Sequence, residues 1–393
     1  MLEIFVAVGI GIVLGVFTGL LPGVHVNLVA VLLMGFSGLL LGYFSPFALV
    51  CMIVAMAVVY TFLDALPSTF LGVPDDTVMM AFPAHKLLLQ GRGYEAVFLS
   101  TTGAFVSLLL ALFFVPFLLL VLQPFYTFLV PFLGWVLLFI VLLLFYFGRK
   151  RAWALVVFSL SSLLGIITFD LPIKEPLFPL LSGLFGVSSL LFSVTRRVRI
   201  PYQVRSKSIP LGESFVVLPV ALLAGGFASF MPGLGPAHVA SIVTFFSKLS
   251  ERGYILFMGG LSTVNMVLSL VSLYVLDKAR NGAIAAVIRF ADINLHELWL
   301  LLFVSLLVGS LGFLLTLCLV PGFLLILSKV DYRKLCFGVL CFVSVLVLMV
   351  SGWIGLLVLG TGVAIGVFTG MKCVEKSYMM GCLLAPVIVY FLV

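Results

Sequence analysis

Charged side chains are scarce in this sequence. Asp, Glu, Lys and Arg make up only 9% of its 393 residues, whereas hydrophobic residues make up 64%. An ordinary soluble domain has about 25% charged and about 45–50% apolar residues. Too little polar surface remains to cover a water-facing core, which excludes a soluble globular protein. The composition predicts an all-α polytopic membrane protein.

Signatures of metal binding and catalysis are also missing. The six cysteines form no CxxC pair, so neither a zinc site nor a disulfide framework is indicated, and no metal or cofactor is predicted. No HExxH, GxSxG or Walker A pattern occurs, which argues against an enzyme and against nucleotide-driven transport. The net charge of +7 comes from short clusters between apolar runs, so it indicates membrane topology rather than nucleic-acid binding.

The apolar runs are long and numerous. A transmembrane helix needs about 20 mainly apolar residues, and turns or charge clusters divide the chain into about 14 apolar segments. Several are shorter than a full span, so about 11–14 transmembrane or re-entrant helices are expected. The segments lie near residues 2–21, 26–43, 46–66, 94–122, 124–147, 151–168, 176–195, 215–231, 236–250, 254–275, 296–328, 335–350, 353–370 and 377–393.

Basic residues are concentrated in alternate connections between these segments. Cytoplasmic loops carry the excess of Lys and Arg, so this side is predicted to be cytoplasmic and both termini extracytoplasmic, in a multi-pass protein of the cell membrane. A basic cytoplasmic linker, 196–214, then separates a first transmembrane repeat, 1–195, from a second, 215–393. The basic residues predicted on the other side are Lys174, Lys278, Arg280 and Arg289.

Two Pro-Gly breaks indicate an internal duplication. GVFTGLLPGVH at 15–25 resembles GGFASFMPGLGPAH at 225–238. An odd number of segments in each half inverts one half relative to the other, an architecture of many secondary transporters. The sequence therefore predicts two inverted repeats with Pro-Gly-broken helices. Broken backbone must line a cavity or be buried in protein, and the following helix start favours an anion. An ordinary turn at the membrane surface is the alternative.

Polar residues at the breaks and in segment 254–275 are the candidate substrate-binding groups. Histidine, amide and hydroxyl side chains donate hydrogen bonds to a carboxylate, although they equally serve as bonds between helices. The candidates are Pro22, Gly23, His25, Asn27, Pro232, Gly233, Gly235, His238, Ser262 and Asn265.

Three carboxylates are candidates for ion coupling. Asp64 lies inside an apolar run, and an intramembrane carboxylate is a functional candidate by default. Asp75 and Asp76 lie in a Gly- and Pro-rich stretch that can turn them toward a cation or proton, although paired aspartates are also ordinary turn chemistry. The charged stretch 277–281 is expected to form a solvated rim, where charges cost little.

Several patches resemble one known family. They are the Gly-rich run into Pro22-Gly23, the stretch 72–96 (GVPDD through GRGYEA), LSGLFG at 181–186, PGLGP at 232–236 and MGCLLAP at 380–386. In this order they resemble the tripartite tricarboxylate transporter permease family, the large TctA-like subunit, in its shorter archaeal-type form. The resemblance implies a multi-pass permease for carboxylates, driven by an ion gradient. It also implies two partners, a small membrane subunit and an extracytoplasmic solute-binding protein.

The leading hypothesis is a secondary-active permease for a small organic anion, a di- or tricarboxylate, coupled to a proton or sodium gradient. Membrane lipid is its surrounding medium, and nucleic acid is not a partner. Two other classes stay open at this point: a membrane-embedded enzyme that acts on lipid-linked substrates, and a non-transporting integral membrane scaffold. The duplicated breaks favour the permease, because a scaffold does not need them.

Overall fold

Every regular element in the described part of the chain is helical, as the composition predicts. The computed structural model describes residues 2–21, 24–70, 83–148, 150–195, 201–206, 208–247, 249–329 and 332–392. A π-helical turn, Ser182–Val187, and 3-10 turns at Val130–Phe132 and Lys376–Met380 connect some of the helices. The α-helices are α1 (Leu2–Leu20), α2 (Val26–Gly35), α3 (Ser37–Leu40), α4 (Pro46–Leu63), α5 (Ala65–Phe70), α6 (Pro83–Leu89), α7 (Gly93–Leu129), α8 (Leu133–Phe147), α9 (Arg151–Asp170), α10 (Leu177–Leu181), α11 (Ser188–Thr195), α12 (Leu211–Phe230), α13 (Pro236–Phe246), α14 (Glu251–Leu276), α15 (Gly282–Phe290), α16 (Leu295–Lys329), α17 (Tyr332–Met371) and α18 (Gly381–Leu392).

Eight helical stretches within the described ranges are long and apolar enough to cross a membrane. Shorter apolar helices accompany them, at Val26–Gly35, Leu177–Leu191 and Lys376–Leu392. Long and short apolar helices together confirm the prediction of an all-α polytopic membrane protein. The long stretches are Leu2–Leu20, Pro46–Phe70, Gly93–Phe147, Arg151–Asp170, Gly212–Phe230, Glu251–Leu276, Leu295–Leu327 and Cys336–Met371.

One predicted boundary is wrong. The sequence places a connection near residue 123, but α7 continues through Pro124 to Leu129, and the turn comes at Val130–Phe132. Membrane helices tolerate proline because neighbouring groups satisfy the freed backbone. The predicted connection after residue 350 coincides with a kink in α17 at Gly352, whose φ of 66° interrupts the helix.

The halves use the same pairings in the same order. In the first half α1 packs on α4, and in the second α12 packs on α14. Glycines allow the close approach: a Cβ on Gly15 would lie 2.7 Å from the carbonyl oxygen of Met56, and one on Gly225 would lie 2.7 Å from the Cβ of Val264. Helices α4 and α14, the most deeply buried of the long helices, form the centre.

Each central helix also packs against the opposite half, because α4 contacts α16 and α14 contacts α7. The exchange recurs further along the chain, where α9 packs on α18 and α17 packs on α10 and α11. This reciprocal pattern fits a duplicated chain. The inversion of one half relative to the other across the membrane stays a prediction.

A charged junction joins the halves at the start of α7 and α14. Glu95, fully buried, accepts hydrogen bonds from Arg92 on its own helix and forms an ion pair at 2.9 Å with Arg252 of the second half. The described part of the linker docks beside it. Gln203 accepts a 2.7 Å hydrogen bond from the Gly93 amide, and the Val204 amide donates to the Gly91 carbonyl at 2.7 Å. Three connections predicted to share one side of the membrane therefore meet.

Candidate functional site

A cavity of about 2250 Å³ lies between the two halves. Its wall includes the start of α2, the end of α4, the chain between α12 and α13, one face of α14, the stretch that leads to α15, and parts of 169–190 and 370–391. Polar groups from distant parts of the sequence therefore share one space. Of the residues singled out in the sequence, those on this wall are His25, Asn27, Asp64, Pro232, Gly233, Gly235, Ser262 and Asn265.

The other candidates lie elsewhere. His238 is fully buried and does not line the cavity, although its neighbours Gly235 and Ala237 do. Pro22, Gly23, Asp75 and Asp76 lie outside the described residues. Their assignment to substrate and ion binding stays a prediction.

At the first break, His25 caps the helix that follows. Its backbone is extended, with φ of −85° and ψ of 149°, and its Nδ1 accepts a 3.2 Å hydrogen bond from the Asn27 amide. A neutral imidazole that accepts at Nδ1 carries its proton on Nε2, so that atom remains a donor. The ring is exposed to the cavity and lies 4.9 Å from the ring of Tyr60, measured between centroids.

The second break repeats this device with a different histidine position. His238, three residues after Gly235, accepts a 3.3 Å hydrogen bond at Nδ1 from the Gly235 amide. Its Nε2 is buried. Both histidines thus stabilise the start of a short helix with Nδ1 and present Nε2–H as a donor.

Gly233 forms the turn of the second break. Its φ is 74°, in the left-handed region that side chains with a Cβ disfavour. Space is not the constraint, since an added Cβ would meet Val387 only at 3.4 Å, an ordinary contact distance. Backbone conformation therefore requires glycine here.

Helix α14 presents a polar face to the cavity through Ser262 and Asn265, which are three residues apart and lie on one side of the helix. Thr263 points elsewhere. Its hydroxyl donates to that of Thr61 on α4 at 3.0 Å, a hydrogen bond between the two halves. Ser262 and Asn265 thus line the cavity, while Thr263 between them joins the two central helices.

Asp64 caps the end of α4 on the cavity wall. Its backbone amide closes the last turn by donating to Tyr60, and its partly buried carboxylate interacts with the phenol of that residue. Tyr60 in turn contacts the His25 ring. His25, Tyr60 and Asp64 therefore form a continuous row of ionisable groups along the wall.

The stretch 277–281 departs from the expected solvated rim. Asp277 and Lys278 are exposed, as a rim requires, but the chain reverses at Asp277, whose φ is 51°. It then runs back along α14, so that the Asn281 amide nitrogen donates to the sulfur of Met266 at 3.8 Å. Arg280 and Asn281 are consequently partly buried and line the cavity.

Asn27 and Asn281 fix this returning chain. The Asn27 side-chain oxygen accepts from the Ala283 amide at 3.1 Å, and that of Asn281 accepts from the Ile284 amide at 2.9 Å. Asn27 thereby joins the helix after the first break to α15 of the second half. Its observed partner is the protein backbone.

Sequence reasoning missed Lys278 and Arg280. Charge bias assigns a loop to a side of the membrane and says nothing about its depth, so a loop that folds back looks like a rim. One signal was available: both are cations on the side that the bias leaves almost free of them. The Asn-Gly pair before the short apolar helix was a second signal, because Asn is a preferred helix cap.

Comparisons with known proteins agree with this architecture. Residues 5–381 match the Tripartite tricarboxylate transporter TctA family. The chain is also 29% identical, over 404 aligned residues, to an uncharacterized protein of Methanocaldococcus jannaschii, with 98% of each chain covered. No solved structure matches the chain.

A match over nearly the whole chain identifies a permease component, since members of this family work in tripartite systems with a substrate-binding protein and a small subunit. A transporter family also points away from an enzyme. The chain belongs to the tripartite tricarboxylate transporter TctA family.

Proposed function

We propose that this protein is a secondary-active permease that carries a small organic anion, a di- or tricarboxylate, through the cavity between its halves. One observation carries the proposal: both Pro-Gly breaks and polar side chains of α2 and α14 converge on one cavity in a largely apolar helical protein. Many secondary transporters bind substrate where broken helices of two repeats meet.

Substrate contacts are assigned to the candidates on or beside the cavity wall. His25 offers Nε2–H, while Ser262 and Asn265 of α14 offer hydroxyl and amide donors. Pro22 and Gly23 are proposed to complete the first break, as Pro232, Gly233 and Gly235 form the second. The buried His238 supports that second break from behind the cavity wall.

Coupling is assigned to the carboxylates. A proton on Asp64 neutralises one negative charge next to an anionic substrate, which links proton and substrate binding. Asp75 and Asp76 are the candidates for a sodium ion. The partners proposed from family membership are a small membrane subunit and an extracytoplasmic solute-binding protein.

Uptake by proteoliposomes tests the permease assignment. We expect labelled citrate or succinate to accumulate under an imposed proton or sodium gradient, and neutral succinamide not to accumulate. Absence of gradient-driven accumulation, with the purified partner subunits present as well, would overturn the proposal. A membrane enzyme or a scaffold would give that result.

The break at Gly233 offers a sharper test. Gly233→Leu forces a side chain into a left-handed backbone position, and we expect uptake to be lost while membrane insertion is retained. Gly360→Leu is the matched control, because Gly360 is helical and a Cβ there meets nothing within 4 Å. Equal uptake by both variants would reduce the break to a plain turn. Gly23→Leu is expected to behave like Gly233→Leu.

Coupling is tested by removing one carboxylate at a time. Asp64→Asn is expected to flatten the pH dependence of uptake, and Asp75→Asn or Asp76→Asn to weaken its cation dependence. Asp292→Asn is the control, since Asp292 is exposed and lies off the cavity wall. Parent-like pH and sodium profiles in all variants would exclude these carboxylates from coupling.

Topology has its own test. A cysteine introduced in 196–207 should react with an impermeant thiol reagent only from the cytoplasmic side, because this stretch carries five basic residues and no acidic one. Labelling from outside would reverse the orientation.

A further inference from the structure

Two cations share one aromatic ring at the cavity wall. Nζ of Lys278 lies 5.3 Å from the ring centroid of Tyr126, and the guanidinium carbon of Arg280 lies 5.5 Å from it. Tyr126 belongs to α7 of the first half, and both cations belong to the second. All three residues line the cavity. Two like charges in one such region repel one another unless an anion lies between or beside them.

Among the residues that the structure describes, neither Lys278 nor Arg280 forms an ion pair, whereas Arg92 and Arg252 both pair with Glu95. A guanidinium without a carboxylate in a partly buried position is unusual, because burial of an unpaired charge is costly.

Arg280 also has hydrogen-bonding capacity to spare. One Nη2 hydrogen bond goes to the Tyr126 hydroxyl at 2.8 Å, which fixes the orientation of the group. Nε is buried and has no partner among the described residues. Buried polar atoms are nearly always hydrogen-bonded, so an unpartnered Nε–H in a residue that lines a cavity indicates a missing acceptor.

The neighbouring helix start does not supply the recognition. The amides of Ala283 and Ile284 at the beginning of α15 already donate to Asn27 and Asn281. Lys376, also on the cavity wall, donates from Nζ to the Ser189 hydroxyl at 2.8 Å. Arg280, in contrast, is a cation on this wall with a buried donor that has no partner among the described residues.

We propose that Arg280 binds a carboxylate of the transported anion, with Lys278 adding positive charge at the same position. A planar fork of N–H donors suits the two oxygens of a carboxylate, and charge-assisted hydrogen bonds of this kind are strong. This assignment rests on the proposed function and deepens it, because it names the group that selects anions. Neutralisation by the substrate would also relieve the repulsion between the two cations.

Binding is measured separately from transport. The purified protein in neutral detergent is titrated with citrate, succinate, succinamide and inorganic phosphate, and its thermal unfolding midpoint is followed. We expect the carboxylates to raise the midpoint and succinamide not to do so. Arg280→Lys keeps the charge and loses the fork, so apparent carboxylate affinity should fall about 10- to 100-fold.

Arg289→Lys is the matched control. Arg289 lies in the last turn of α15, is exposed and does not line the cavity, so its variant should bind like the parent. Equal carboxylate affinity in the parent and Arg280→Lys would overturn the assignment. So would a parent protein that no anion stabilises, or one that phosphate stabilises better than either carboxylate.

The two proposals fail in different ways. If the parent accumulates citrate or succinate and Arg280→Lys does so with an unchanged KM, the permease stands and the binding assignment falls. If the parent shows a carboxylate-dependent midpoint that Arg280→Lys loses, but no gradient drives uptake, the binding assignment stands and the permease falls.

Discussion

Two charged regions join the halves of this protein, and they differ in how their charges are satisfied. At the start of α7 and α14, two arginines surround one fully buried glutamate. At the cavity, Arg280 and Lys278 surround a tyrosine, and no carboxylate is paired with them among the described residues. In the first region the arginines are paired with a carboxylate of the protein itself. The second leaves room for an anion that the protein itself does not supply.

The paired charges around Glu95 therefore stabilise the fold, whereas the unpaired cations at the cavity are those that we propose bind an anion. Removal of a group should damage stability in the paired region and anion handling in the unpaired one. Variants of both regions, and of the uncharged contacts between the halves, test this difference.

The largest loss of stability is expected for Glu95→Gln. It leaves Arg92 and Arg252 facing a neutral amide, and breaking a wholly buried pair costs about 3–5 kcal/mol. The two arginine side chains are 33% and 36% exposed, which lowers the expected loss of unfolding free energy to about 2–4 kcal/mol. Thermal and denaturant unfolding in detergent measure it.

Glu251→Gln is the control for that change. Glu251 pairs with Lys86 in a bridge whose side chains are 42% and 47% exposed, and such surface pairs contribute about 0–1 kcal/mol. If both glutamine variants lose equal stability, the buried network is not the main link between the halves.

The fold could be predicted from the sequence further than the site could. Apolar length indicated the long helices, because the membrane imposes that length on any sequence that crosses it, but the short helices α6 and α15 lie outside the predicted segments. The kink at Gly352 and the breaks around His25 and Gly235 could also be predicted from the sequence, because Gly and Pro interrupt a helix locally.

The site depended on contacts that local patterns do not contain. Asn27 looked like a substrate ligand, but its oxygen holds the Ala283 amide, 256 residues away in the sequence. Arg280 looked like a surface charge, but the chain folds back at Asp277 and brings it to the cavity. Both outcomes depend on tertiary packing between halves, which spacing within one half does not encode.

Asn27→Ala is expected to have the next largest effect. It leaves the Ala283 amide of a fully buried residue without its acceptor, which costs about 1–3 kcal/mol. It also frees the start of α15, so uptake should fall together with the unfolding midpoint.

Asn294→Ala is the matched control for Asn27. It too removes a side-chain oxygen from a helix-start amide, that of Glu297, but in an exposed position away from the cavity. We expect a small loss of stability and normal uptake. Normal uptake in Asn27→Ala as well would separate the α2–α15 contact from transport.

Thr263→Val removes the hydroxyl contact between the central helices. Thr61 keeps its own bond to the Val58 carbonyl, so no donor is stranded there, and hydrogen bonds between membrane helices contribute only about 0.6 kcal/mol on average. We expect a loss of that order. Thr316→Val is the control, because this equally buried threonine bonds only to a carbonyl four residues earlier in its own helix. Equal unfolding midpoints would show that the hydroxyl pair does not hold the halves together.

Arg280→Met is expected to leave stability nearly unchanged in either direction, and this result tests the comparison most directly. The change loses one hydrogen bond to Tyr126, but it also removes an unsatisfied buried donor and the repulsion from Lys278. These opposing contributions should leave the unfolding free energy of the anion-free protein within about 1 kcal/mol of the parent. Replacement of an arginine that stabilises the fold has a larger effect. Arg252→Met removes a positive charge from the buried Glu95 and should therefore lower the unfolding free energy considerably more. If Arg280→Met instead unfolds as readily as Arg252→Met, the cavity arginine supports the fold, and the contrast between the two charged regions disappears.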